Sequence, residues 1–125
     1  MGEMNLYELI GEEGFGRLIR AFYRQVPHDE ILSQMYDRDD LAGAEERLRD
    51  FLVGRFGGPQ RYTERRGHPR LRSRHVPFRI DRAARDHWMA LMENAFAEAA
   101  LPAEAETFLR DFLSQMATFM INHEQ

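Results

Sequence analysis

Apolar side chains recur at three- and four-residue spacing in four stretches of the chain, the repeat that gathers them on one face of a helix. The first stretch, from about Gly14 to Val26, puts Phe15, Leu18, Ile19, Phe22 and Val26 on one face with Tyr23 beside it, and Pro27 stops it. A short helical turn from Glu30 to Met35, ending in Tyr36, is expected next. The acidic pair Asp39-Asp40 offers capping chemistry for a second long helix that buries Leu41, Ala44, Leu48, Phe51 and Leu52 and ends at Gly57-Gly58-Pro59. Asp81 is placed to cap a third, with Ala84, Trp88, Leu91, Met92, Ala95 and Phe96 on its apolar face. Pro102 restarts the chain as a fourth, carrying Phe108, Leu109, Phe112, Leu113, Met116, Phe119 and Met120, and these last two helices should pair antiparallel. No stretch alternates as a strand would, so the pattern predicts an all-α fold. Between Gln60 and Arg79 the periodicity lapses into arginines, two prolines, Tyr62 and two histidines. A long irregular stretch inside a compact domain is commonly functional.

Composition narrows the classes. The 125 residues suit a single domain over 1–125, and 43% hydrophobic with 30% charged residues is an ordinary globular balance. No apolar run approaches bilayer length and the N-terminus from Met1 to Glu13 is acidic and polar, so a cytoplasmic protein is expected. With no cysteine, disulfides, iron–sulfur clusters and thiolate-held metals are excluded, and any metal must be held by nitrogen or oxygen. A net charge of −4 argues against nucleic acid as the main partner, although the positive charge is all arginine and much of it lies between Arg61 and Arg85.

Among five histidines, His28, His68 and His123 lie in polar turns or near the C-terminus, and His87 lies beside an apolar stripe. His75 differs: it closes Leu71-Arg72-Ser73-Arg74-His75 and is followed by Val76-Pro77-Phe78. An imidazole flanked by arginines and apolar groups suits contact with a large apolar object bearing carboxylates, because guanidinium pairs well with carboxylate. On the residues alone, a loop histidine in a basic patch is the plainer reading. No zinc spacing is present, since H-E-x-x-H is missing and His68 and His75 lack a carboxylate partner. Ser33, Ser73 and Ser114 occupy no nucleophile setting, and Gly14-Phe15-Gly16 falls inside a helical pattern where a phosphate loop would not. Tyr23, Tyr36, Tyr62 and Trp88 are aromatics with polar handles; a Tyr23 hydroxyl at the edge of the apolar face would point toward the core and need a partner.

Asp39-Asp40-Leu41-Ala42-Gly43-Ala44-Glu45-Glu46-Arg47-Leu48-Arg49, the Gly57-Gly58-Pro59 stop, Arg66-Gly67-His68-Pro69-Arg70-Leu71-Arg72, Arg74-His75-Val76-Pro77-Phe78-Arg79-Ile80 and the following Trp88 resemble group II truncated hemoglobins. The likeness spans nearly the whole chain. It implies a two-over-two helical sandwich, a shortened globin in which the B, E, G and H helices enclose heme and the F helix is reduced to a loop with one short turn. By the same resemblance His75 matches the proximal iron ligand, Tyr23 the distal tyrosine, Tyr36 the aromatic after the C helix, and Trp88 the tryptophan whose N–H reaches the ligand. Ala44 takes the place of the distal histidine of classical globins, with Leu48 one turn on. Phe51, Leu52, Phe78, Met116 and Met120 would be apolar heme contacts, and Arg47, Tyr62, Arg72 and Arg74 candidates for the propionates. Two positions depart from the family: Gly11-Glu12 replaces a Gly-Gly corner, and Arg55-Phe56 replaces a Tyr-Trp pair.

The resemblance implies heme b (iron protoporphyrin IX) as cofactor and oxygen, carbon monoxide, nitric oxide or peroxide as small ligands. A reductase and a homodimer are the further partners to consider, with no nucleic acid and no membrane. Phenol and indole donors without a distal histidine suggest tight oxygen binding with slow release. The alternatives are a heme-based redox enzyme, a nitric oxide dioxygenase or peroxidase, and a heme-free helical interaction module.

Overall fold

The computed structural model describes residues 5–123, so the first four and last two positions of the chain lie outside the described residues. Helix α1 spans Leu6–Gln25 and begins well before the expected Gly14. Its first turns are capped by Asn5, whose side chain accepts from the Glu8 amide at 3.1 Å. They were hidden from periodicity because the helix kinks at Gly11 (φ 66°, ψ 177°), a backbone conformation open to glycine that throws the earlier apolar positions out of register. Three 3-10 turns follow, Val26–His28, Leu32–Gln34 and Arg38–Asp40.

Helix α2 runs Leu41–Arg55. The capping expected of Asp39-Asp40 falls instead to Asp37, which accepts from the Asp39 amide at 2.9 Å, while the Asp40 carboxylate takes Arg47 at 2.8 Å. Entering through a 3-10 turn moves the unpaired amides upstream. At the other end Gly57 adopts φ 103° and the Gly58 amide donates back to Val53 O at 2.8 Å, closing the helix.

The stretch read as irregular contains two short helices, α3 (Arg61–Arg66) and α4 (Leu71–Arg74). Neither has an apolar face of its own to betray it. The buried Asp50 of α2 holds α3 by charge, with Arg65 at 3.5 Å and Arg61 at 3.9 Å. Arg61 also makes a two-pronged pair with Glu12, at 2.8 and 3.0 Å, so the departure at Gly11-Glu12 supplies a tether between the α1 kink and α3. Asp81 caps α5 (Arg82–Ala99) through the Ala84 amide at 2.9 Å, and α6 (Ala103–Phe119) follows Pro102.

α1 packs on both α2 and α5, and α5 on α6, giving two helix pairs laid over one another. Among the described residues there is no strand, and no helix is long and apolar enough to cross a membrane. The main core gathers Phe15, Leu18, Ile19, Phe22, Leu52, Met92, Phe96 and Leu109. Phe56, at the second departure, is buried in it against Phe15 and Phe112, with the Arg55 guanidinium over its ring, so the end of α2 is firmly anchored. A second, smaller cluster, Ile80, Ala84 and Met120, stands apart, and Ile31 and Met35 are the side chains that pack against both.

Candidate functional site

The fold brings Tyr23, Tyr36 and Trp88 together from three elements. Tyr23 comes from the last turns of α1, 7% exposed; Tyr36 follows the second 3-10 turn; Trp88 lies on α5. Their rings meet edge-on or tilted, Tyr23 to Tyr36 at 5.6 Å and Phe22 to Trp88 at 5.1 Å between centroids. Trp88 Nε1 donates to the Tyr36 hydroxyl at 3.3 Å. The Tyr23 and Tyr36 hydroxyls face one another and hydrogen-bond. Burial pushes the Tyr23 phenol well above 10, and the Tyr36 oxygen facing it adds to the rise. Burial also raises Tyr36, against the opposing effect of its bonds to Trp88 and Tyr23. Both phenols therefore stay protonated near neutrality. A hydroxyl has one proton and two lone pairs. Two hydroxyls that share one bond use one of their two protons, so the Tyr23–Tyr36 pair leaves the other for a guest.

His75 caps the C-terminus of α4. Its Nδ1 lies 2.6 Å from the Leu71 carbonyl. Since a carbonyl only accepts, Nδ1 carries the proton and Nε2 keeps its lone pair. That tautomer is the one a metal ligand needs. The segment beyond is apolar yet uncovered, with Val76 at 68% and Phe78 at 41% exposure, and Phe119 at the end of α6 at 56%. On α2, Ala44, Leu48 and Phe51 are only half-buried, as is Met116 on α6, whereas Met120 is buried in the small cluster. Leu52 is fully enclosed in the main core and has no surface left to offer a ligand.

The polar candidates divide. Tyr62 is buried with its ring edge-on to Phe51, and Arg74 lies over it while donating to the carbonyls of Pro69 and Arg66. Arg72 sits over Phe119 and donates to Ile121 O at 3.3 Å. Arg74 and Arg72 thus flank His75 from the α3 side and the α6 side. Arg47 is committed to Asp40. Among the other histidines, His87 pairs with Asp29 at 3.0 Å, and His68 Nδ1 accepts from the Arg70 amide at 3.1 Å. Sequence reasoning passed over Asp29 and also Asn122, whose side chain bonds to the His75 segment; an asparagine just past a helix is an ordinary stop signal and gave no other clue.

A split core lined by half-buried apolar groups, a histidine with one free ring nitrogen, and arginines on both sides of it match the demands of heme: a flat apolar face, an axial donor and two carboxylates. The donor set fits the group.

The chain is matched over residues 5–122 by the family model described as bacterial-like globin. It is 36% identical over 119 residues to the group 2 truncated hemoglobin YjbI of Bacillus subtilis, covering 95% of this chain and 89% of that protein. Its fold superposes on the thermostable hemoglobin of the actinobacterium Thermobifida fusca with a TM-score of 0.92, at 49% identity over 98% of this chain and all (100%) of that one. The truncated oxygen-avid haemoglobin of Bacillus subtilis superposes with a TM-score of 0.89, at 36% identity, over 95% of this chain and 100% of that one. The heme-free helical module is thereby displaced, and the chain belongs to the bacterial-like globins as a group II truncated hemoglobin with the two-over-two fold.

Proposed function

We propose that this globin holds heme b through His75 Nε2 and binds oxygen tightly, with slow release. The observation that carries the reading is the Tyr23–Tyr36–Trp88 network, in which the Trp88 N–H holds the Tyr36 oxygen and the paired hydroxyls keep one proton to give. Heme, when bound, would supply the iron that takes a diatomic gas; the chain's own residues decide how firmly the gas is kept. Tyr36 O–H donates to it, and the Trp88 N–H, 3.3 Å from the Tyr36 oxygen, stands beside it as a second donor. Tyr23 orients Tyr36. Donors aimed at a ligand that draws negative charge favour oxygen and superoxide-like species over carbon monoxide. Ala44, too small to reach a metal or donate a bond, leaves this work to the phenols and indole.

On the other side Leu71 O fixes the His75 tautomer. Arg72, Arg74 and Tyr62 take the propionates, and Leu48, Phe51, Phe78, Met116 and Met120 give the apolar contacts. The oxygen-avid character of a relative that superposes closely supports the affinity. The test is the absorption spectrum of ferric, dithionite-reduced and carbon monoxide-treated protein beside His75→Ala. An intense Soret band that shifts with each state and collapses in the variant is expected; a band unaffected by the substitution would remove His75 as ligand.

A further inference from the structure

The segment that carries His75 is weakly built. α4 has four residues, and Val76 to Arg79 are exposed with little packing beneath them. One side chain from the far end of the chain holds it. Asn122 Nδ2 donates to the His75 carbonyl at 3.3 Å and to the Phe78 carbonyl at 2.9 Å, and its Oδ1 accepts from the Ile80 amide at 2.9 Å. Its own backbone amide donates to Ile80 O at 2.8 Å, and the His123 amide reaches the same oxygen at 3.1 Å. The amide nitrogen of Asn122 thus serves the six-residue span that starts at the histidine, and its oxygen is shared between the Ile80 amide of that span and the His123 ring Nδ1 at 2.6 Å.

We propose that Asn122 is a positioning residue for the heme ligand: it locks the His75–Ile80 backbone to the end of α6 and so fixes where the imidazole stands. The inference rests on ligation by His75. The geometry carries it, because no other side chain in the described residues bonds to both the His75 and the Phe78 carbonyls. The Leu71 carbonyl sets the rotation of the ring, but α4 can move as a body with that bond intact. Asn122 limits that movement. Its bonds run between the segment and the C-terminal end of α6, where Met120 packs with Ile80 and Ala84, so the latch joins the ligand to the smaller core.

Asn122→Asp is the main test, since it keeps the shape and the acceptor for Ile80 while replacing the donor to two carbonyls with an oxygen that repels them; Asn122→Ala removes all three bonds. Three measurements are made on each variant: hemin transfer to a scavenging apoglobin, the iron–histidine stretching band of the reduced holoprotein, and amide hydrogen exchange in the apoprotein. Losing two hydrogen bonds of ordinary strength should speed hemin loss about tenfold. The stretching band should shift or broaden, and exchange should quicken over residues 75–80 while α1 and α5 are unchanged. Unaltered hemin loss and stretching band overturn the proposal, as does exchange that quickens evenly along the chain, which would make Asn122 a general fold residue. The His75→Ala spectrum separates the two levels: if that variant keeps the wild-type Soret band, the ligand assignment itself falls and the positioning role with it.

Discussion

The two sides of the presumed heme pocket are made in opposite ways. The distal side takes Tyr23 and Trp88 from long helices and Tyr36 from just past a 3-10 turn, and rests on the main core, with Phe22 wedged among the rings. The proximal side is a four-residue helix and an exposed loop, held by hydrogen bonds to backbone carbonyls and by arginines over aromatic rings. Packing makes the first rigid before any cofactor arrives. The second has too little buried surface to order itself that way and depends on a few polar tethers and on the apolar face of its guest. A pocket so divided would hold the proposed donors by packing and the His75 segment by its polar tethers.

The sharpest way to break this contrast is to cut one phenylalanine from each side in the apoprotein. Phe22 is fully buried, and Phe22→Ala should cost about 3–5 kcal/mol in chemical unfolding. Phe78 is 41% exposed, so Phe78→Ala should change apoprotein stability by less than about 1 kcal/mol yet speed hemin loss from the holoprotein. If Phe78→Ala destabilised the apoprotein as much as Phe22→Ala, the proximal loop would be packed and the contrast would fail.

Within the distal side a smaller effect separates the two phenols. Tyr36→Phe removes the proposed donor to the gas and the acceptor that engages Trp88 and Tyr23. A hydrogen bond to a charge-bearing partner contributes about 1.5–3 kcal/mol, so oxygen release should quicken roughly tenfold to a hundredfold by stopped flow. Tyr23→Phe keeps Tyr36 and removes the hydroxyl that faces it, and should quicken release less than tenfold. Equal effects would mean that Tyr23 touches the ligand itself.

The same contrast decided what could be read from the sequence. Phe15, Leu18, Ile19 and Phe22, and the α5 and α6 faces, announced themselves because packing is periodic and periodicity is visible in the order of residues. α3 and α4 did not, because Asp50 with Arg61 and Arg65, or Arg74 over Tyr62, are pairs distant in sequence with no repeat to mark them. The first turns of α1 were lost for a third reason, a glycine with φ 66° that resets the phase of the helix. His75 stood out only as an odd histidine among arginines; its Nδ1 bond to Leu71 O and its tie to Asn122 are contacts that only the folded backbone creates.

The distal side has a polar tether besides its aromatic network, and acid should find it. The Asp29 carboxylate accepts from the amides of Leu32 at 2.8 Å and Ile31 at 3.1 Å, and His87 Nδ1 lies 3.0 Å from it. It thereby joins the turn that precedes Tyr36 to the helix that carries Trp88. Burial alone would raise its pKa, but the Leu32 and Ile31 amides and His87 outweigh burial and hold it below the usual carboxylate value of 3.8. A depressed folded pKa means the charged form stabilises the fold: the contribution is whole above about pH 4 and is lost as pH falls through the folded value. Asp29→Asn keeps an acceptor for the two amides and removes the charge. Its stability deficit against the wild type, less than about 1 kcal/mol for such a pair, should be present at pH 5 and close as the wild type is protonated below pH 4. A deficit that stays constant down to pH 2 would show that the carboxylate's charge contributes nothing, and that the distal corner is held by packing alone.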